Sequence, residues 1–179
     1  MNLPAAALEF AHNSHRGQSR EGDAGIPYLH HPLEVASLLF QIGGVADHED
    51  IAAAILHDTI EEGGISQNDI EEKFGRVISH LVGELTRAEP SEDQAQVLTK
   101  IELYELRTNL LLAGIKVMSP RAQRIKLADR LSNWREAKAV RRTKKLARYG
   151  RQTLAILEVI PRSVCPPLWD TLKEECSNT

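Results

Sequence analysis

With 179 residues, 42% of them hydrophobic and 26% charged, the chain can bury about two thirds of its unfolded surface in one globular domain, which excludes a disordered chain. Aromatic residues make up only 4% and no apolar run nears the length of a bilayer span, so base-stacking platforms for nucleic acid and membrane-spanning helices are both set aside. The net charge of −3 also argues against a nucleic-acid binder.

Frequent Ala and Leu with few aromatics favour interdigitated helices, and the punctuation predicts an all-α, single-domain bundle of about eight to ten helices. Pro4 opens a first helix running to about His15, and the Gly-rich stretch from Gly17 to Pro27 reads as a loop. A second helix runs from Pro32 to about Gln41 and stops at Gly43-Gly44. Asp47 caps a third, with Asp50 at the capping-box position, and this helix is expected to continue to Glu62 before Gly63-Gly64. Ser66 with Asp69 three residues later opens a short helix ended by Gly75, and Arg76 to about Arg87 forms the next. Past Glu89-Pro90-Ser91, one long helix is expected from about Glu92 to Lys116. Ser119 as cap and Pro120 at the first helical position start a helix to about Lys138. Thr143 to Ile160 and a short segment after Pro166-Pro167 complete the chain. The start, MNLPAAALEF, lacks a basic signal-peptide region, so a cytoplasmic protein is expected, with Cys165 and Cys176 as free thiols.

Charge is distributed unevenly. Asp47 to Glu72 holds nine acids and no Lys or Arg, whereas Arg121 to Arg148 holds eleven bases against Asp129 and Glu136. Such segments read either as solvated helix faces or as a cation-seeking stretch opposite a phosphate-seeking one.

The chemistry concentrates around LHDTIEE. If the third helix runs on to Glu62, His57 and Glu61 share one stripe and Asp58 and Glu62 the next. Alone, this would read as an exposed helix end. It is accompanied by His31 at the start of the second helix, and by Asp129 among Ile125, Ala128 and Leu131, which point it toward the interior. Two imidazoles and two carboxylates form a mixed N/O set suited to Mn2+, Fe2+ or Zn2+. That is the HD-domain pattern.

The runs HRGQSREGDAGIPYLHHPLEVASLL, AAAILHDTIEE, FGRVISHLVGELT and IKLADRLSNWREAK resemble, in order and spacing, the hydrolase domain of RelA/SpoT proteins and its single-domain form, the small alarmone hydrolases. The likeness covers about residues 6–149, with C-terminal helices over 143–176 expected to pack on that core. It implies metal ligation by His31, His57, Asp58 and Asp129, with one divalent ion, Mn2+ by expectation. Glu61 and Glu62 fall where the family keeps an acidic pair that activates water and handles protons. Arg20 falls where a guanidinium packs on the nucleobase, Asn133 where an amide meets the nucleotide, and Tyr149 where a tyrosine faces the ribose. Lys126 and Arg130, with Arg135, are the bases of the 121–148 segment nearest the site, and that segment is expected to hold pyrophosphate. Three positions depart from the family: Glu62 replaces the usual Asp, Glu21 replaces a second base after Arg20, and Ser132 replaces a bulky ring.

The implied reaction is hydrolysis of guanosine 3′-diphosphate 5′-di- or triphosphate to GDP or GTP and pyrophosphate. Two alternatives stay open: another 3′-phosphorylated nucleotide as substrate, or a nucleotide-binding regulator without turnover. The expected partner is a nucleotide, with no nucleic acid and no membrane, and both monomer and homo-oligomer remain open.

Overall fold

The third helix, α3 (His48–Leu56), buries five consecutive residues from Ala52 to Leu56, something only a helix packed on several sides can do. Its small alanines let neighbours approach closely. It touches α1 (Leu3–Ser14), α2 (His30–Gln41), α5 (Arg76–Leu85) and α8 (Pro120–Ala139). The structure, a computed structural model, describes residues 2–20, 23–139 and 143–177. Among them the remaining helices are α4 (Gln67–Phe74), α6 (Glu92–Val97), α7 (Lys100–Val117), α9 (Thr143–Val159) and α10 (Pro166–Ser177), with one 3-10 turn at Arg162–Val164. The all-α expectation holds in the described residues, apart from one short antiparallel ribbon.

That ribbon lies where a loop was expected. β1 (Ser19–Arg20) pairs with β2 (Asp23–Pro27), Ser19 opposite Pro27 and Arg20 opposite Asp23, with an irregular register between them. It delivers Arg20 and Tyr28 to the same side of the bundle.

Two helix boundaries also differ. α3 ends at Leu56, and residues 57–63 wind into turns. Thr59 is responsible: its backbone N–H and its hydroxyl both donate to the Leu56 carbonyl, at 3.0 and 2.7 Å, closing a tighter turn than an α-helix allows. The two polar stripes of a continuous helix therefore do not form. The long helix expected from Glu92 to Lys116 breaks at Leu98-Thr99, because Thr99 and Glu102 make a reciprocal capping box that starts α7 afresh.

Asp47 caps α3 through the amides of Glu49 and Asp50, but Asp50 does not complete a capping box. Its buried carboxylate is taken by Arg121 and by Arg124 at 3.2 Å, while Arg121 also reaches Asp47 and Glu49. Part of the charge asymmetry is thus spent inside the molecule, pinning the start of α8 to the start of α3. α8 is the other internal rod. Packed on α2, α5, α9 and α10, it buries Ile125, Leu127, Leu131 and Trp134 alongside Asp129, Arg130 and Ser132.

Candidate metal centre and nucleotide cleft

His31 at the start of α2, His57 and Asp58 just past α3, and Asp129 in the middle of α8 converge at the floor of a cleft. His31 Nε2 lies 3.2 Å from Asp129 Oδ1 and 3.7 Å from Asp58 Oδ2. His57 Nε2 lies 3.1 Å from Asp58 Oδ1 and 3.8 Å from Asp129 Oδ1. Donor atoms bound about 2.1 Å from one ion stand about 3.0 to 3.4 Å apart, so these separations approximate the edges of a coordination polyhedron.

The tautomers are set from behind. His57 Nδ1 is 2.8 Å from the Ala54 carbonyl, which can only accept, so Nδ1 carries the hydrogen. In the neutral ring the Nε2 lone pair then faces the carboxylates, and this buried atom has no hydrogen-bond partner. His31 Nδ1 is 3.0 Å from Ser132 Oγ, whose single hydrogen goes to Glu34 Oε2 at 2.7 Å, so His31 also donates from Nδ1 and turns Nε2 into the site. Ligand atoms of His31, His57 and Asp129 lie within 4.8 Å of one another, one imidazole lone pair is orphaned, and Asp58 stands beside both rings, a set that fits a divalent cation.

Electrostatics agree. Burial acts to raise Asp129, but Lys126 Nζ at 2.8 Å holds it well below the ordinary aspartate range. For Asp58 burial is likewise outweighed, here by His57, His31 and the Tyr28 hydroxyl, which donates to Oδ2 at 2.7 Å. Both carboxylates are held toward the ionised form. The Tyr28 phenol is pushed far up by burial and by Asp58, and remains a donor.

A cavity of about 200 Å³ above this floor is also lined by Glu61, Glu62, Lys126, Arg130, Asn133 and Tyr149. Burial raises the Glu61 carboxyl above the usual glutamate range, against the pull of the Arg87 backbone N–H and guanidinium. Glu62 is anchored by its carbonyl, which accepts from Gln18 at 2.6 Å. Asn133 links two parts of the site, donating to Asp129 Oδ1 at 2.6 Å and accepting from Arg20 at 3.2 Å. Arg20 is clamped by Glu136 and lies 5.5 Å above the Tyr28 ring, on the wall of an adjoining cavity of about 660 Å³.

The basic segment behaves differently from the expectation. Within it Lys126 and Arg130 line the metal-centre cavity, and Arg130 is committed to α9 through Thr153 Oγ1 at 2.7 Å and the Tyr149 carbonyl at 2.8 Å. Arg135 is paired with Glu175 at 2.6 Å and does not line the metal-centre cavity. Arg141, Arg142 and Glu21 lie outside the described residues. Two cations that the sequence reading missed, Arg87 after α5 and Arg107 in α7, line the cavity instead. No local motif marks them. Tyr28 was visible within the PY-xx-HP run but carried no role.

The HD-domain family model matches residues 7–160, and the chain belongs to that family. Within it the chain is similar to human guanosine-3′,5′-bis(diphosphate) 3′-pyrophosphohydrolase MESH1, at 35% identity over 130 residues that cover 73% of this chain and 66% of the human protein. Its likeness to the guanosine-3′,5′-bis(diphosphate) 3′-pyrophosphohydrolase of Aquifex aeolicus is 39% over 127 residues, 71% of this chain but 16% of that longer protein. The solved structure of a metazoan ortholog of SpoT that hydrolyzes ppGpp superimposes with a TM-score of 0.83 at 26% identity, covering 99% of this chain and 96% of that one. No helix among the described residues is long and apolar enough to cross a membrane.

Proposed function

We propose that the chain is a metal-dependent phosphohydrolase that removes the 3′-pyrophosphate of guanosine 3′-diphosphate 5′-di- or triphosphate, releasing GDP or GTP and pyrophosphate. The observation that carries this reading is the meeting of His31, His57, Asp58 and Asp129 around an orphaned His57 Nε2 at the floor of a cationic cleft. The human and Aquifex relatives are named for this reaction, which supports the substrate.

Held by these four residues, a divalent ion, in our reading Mn2+, supplies the Lewis acidity that makes water a competent nucleophile near neutral pH. Glu61 and Glu62 stand beside that floor to take up the proton the water gives up, and the raised Glu61 carboxyl suits a proton handler. Water oxygen bonds to the 3′-linked phosphorus, the bond from phosphorus to the ribose oxygen breaks, and that oxygen keeps the electron pair and gains a proton. Arg20 packs a purine against the Tyr28 side of the cleft, Asn133 meets the nucleotide, and Tyr149 faces the ribose. Lys126 offsets phosphate charge while holding Asp129, and Arg130 acts by fixing Tyr149. In this reading residues 1–179 act as one hydrolase domain in the cytoplasm, needing no nucleic acid or membrane, as a monomer or a homo-oligomer.

The test is turnover of purified protein against a nucleotide panel with Mn2+, with products resolved by anion-exchange chromatography. GDP and pyrophosphate from ppGpp are expected. Preference for an adenine 3′-phosphate would overturn the substrate, and tight nucleotide binding without turnover would overturn the enzyme.

A further inference from the structure

The cleft presents five cations, yet most are already occupied. Lys126 is on Asp129, Arg130 on Thr153 and Tyr149, and Arg20 on Glu136 and Asn133. Arg87 and Arg107 differ. Their Nε groups are bridged by the two oxygens of one carboxylate, Glu89, at 2.8 and 2.9 Å. This holds the two guanidiniums side by side while using only one edge of each. The terminal nitrogens of Arg107 have no partner among the described residues, and the Arg87 terminal nitrogen reaches Glu61 only at 3.4 Å. A planar fork with free terminal donors matches the paired oxygens of a phosphate.

Position gives the pair its meaning. Arg107 lines the cavity that contains His31, Asp58 and Asp129, but not the adjoining cavity that contains Ser19 and Glu136. The floor residues and Arg107 thus share the one cavity, whereas Arg87 lines both. With a purine on the Ser19 and Glu136 side, a phosphate on the ribose 3′ oxygen would meet the floor, and a second phosphate attached to it would extend into the cavity that Arg107 lines. Four carboxylates also line the metal-centre cavity, so a divalent ion would leave it net positive, as a dianionic terminal phosphate requires.

We propose that Arg107, with Arg87 beside it, forms the subsite for the terminal phosphate of a 3′-pyrophosphoryl group, making the protein selective for 3′-diphosphates over 3′-monophosphates. This deepens the reaction proposed above and rests on it for the identity of the nucleotide. The anion subsite itself can be measured without turnover.

Isothermal titration of the Mn2+-loaded protein with inorganic pyrophosphate and with orthophosphate, checked for retained metal by elemental analysis, tests the subsite. Wild type should bind pyrophosphate at least about tenfold more tightly than orthophosphate, and Arg107→Ala should lose about tenfold in pyrophosphate affinity with orthophosphate nearly unchanged. Arg107→Lys should recover part of the loss, since it restores the charge without the fork. In turnover, the kcat/KM ratio of ppGpp to the corresponding 3′-monophosphate should narrow in Arg107→Ala by a similar factor. Arg107 is half-exposed, and an unchanged melting temperature will show that the variant is folded. Equal weakening of both anions, or pyrophosphate binding indifferent to Arg107, overturns the subsite even where wild type hydrolyses ppGpp. Arg107-dependent pyrophosphate binding in a protein that hydrolyses neither nucleotide upholds the subsite and overturns the reaction.

Discussion

Replacing Ser132 by Ala tests whether the metal centre is built from behind as well as from the front. The Ser132 hydroxyl accepts from His31 Nδ1 and donates to Glu34, and at 1% exposure water has no room to take its place. His31 is itself only 3% exposed, so the variant leaves a buried N–H without an acceptor, at a cost of about 2 kcal/mol. Glu34 is half-buried and can turn to solvent, adding little. For a domain of this size the metal-free melting temperature should fall by about 4 to 8 °C. Metal affinity should fall further, by about 10- to 100-fold, because a His31 ring freed to flip no longer keeps its Nε2 lone pair in the site. Scanning calorimetry without metal and Mn2+ titration calorimetry separate the two effects. A lower melting temperature with Mn2+ affinity within twofold of wild type would refute the reasoning: Ser132 would then only fill space.

Chelation should lower the melting temperature and abolish hydrolysis together. Restoring Mn2+ to a hundredfold excess over Kd should return about 2.7 kcal/mol, or about 5 to 11 °C, and Asp58→Asn should lack this response; identical melting curves with chelator and with Mn2+ would exclude a metal site. Arg20→Ala should raise KM by about tenfold with a smaller change in kcat, because packing on the base is felt equally in ground and transition states; steady-state kinetics showing a pure kcat loss would contradict this. Thr99→Ala removes the cap that starts α7 and should cost about 1 kcal/mol in urea titration, whereas a continuous helix through Leu98-Thr99 would show no loss.

Local signals survived folding where their partners were also local. The Ser66-Asp69 box and the Ser119-Pro120 start are four residues or fewer in extent and appear where the sequence puts them. The T-x-x-E box at Thr99 was equally readable, yet one continuous helix was expected across it. The early end of α3 was not readable, since it depends on whether Thr59 bonds its own turn or lets the helix continue. His31, His57, Asp58 and Asp129 were legible as a set because their residue types and order form a pattern. Arg87 and Arg107 carry no such pattern. They reach the cleft only because the end of α5 and the middle of α7 are brought to it, and Glu89 binds both. The basic segment divides in a way its sequence did not reveal: Lys126 and Arg130 line the cleft, whereas Arg121, Arg124 and Arg135 pair with acids outside its lining.

Asp129, Asn133 and Glu136 stand on one uninterrupted helix, each on or near the next turn. An α-helix rises about 1.5 Å per residue, so the seven residues from Asp129 to Glu136 fix about 10 Å between the floor of the cleft and the clamp on Arg20. That distance cannot be adjusted by a loop or a hinge. If the proposed nucleotide site holds, α8 acts as a gauge: a nucleotide whose sugar sits one bond nearer to or farther from its phosphate would satisfy one end of the gauge or the other, but not both. A single-residue insertion between Asp129 and Asn133 would turn the far end by about 100° and lose the calibration, while leaving every residue of the metal floor in place.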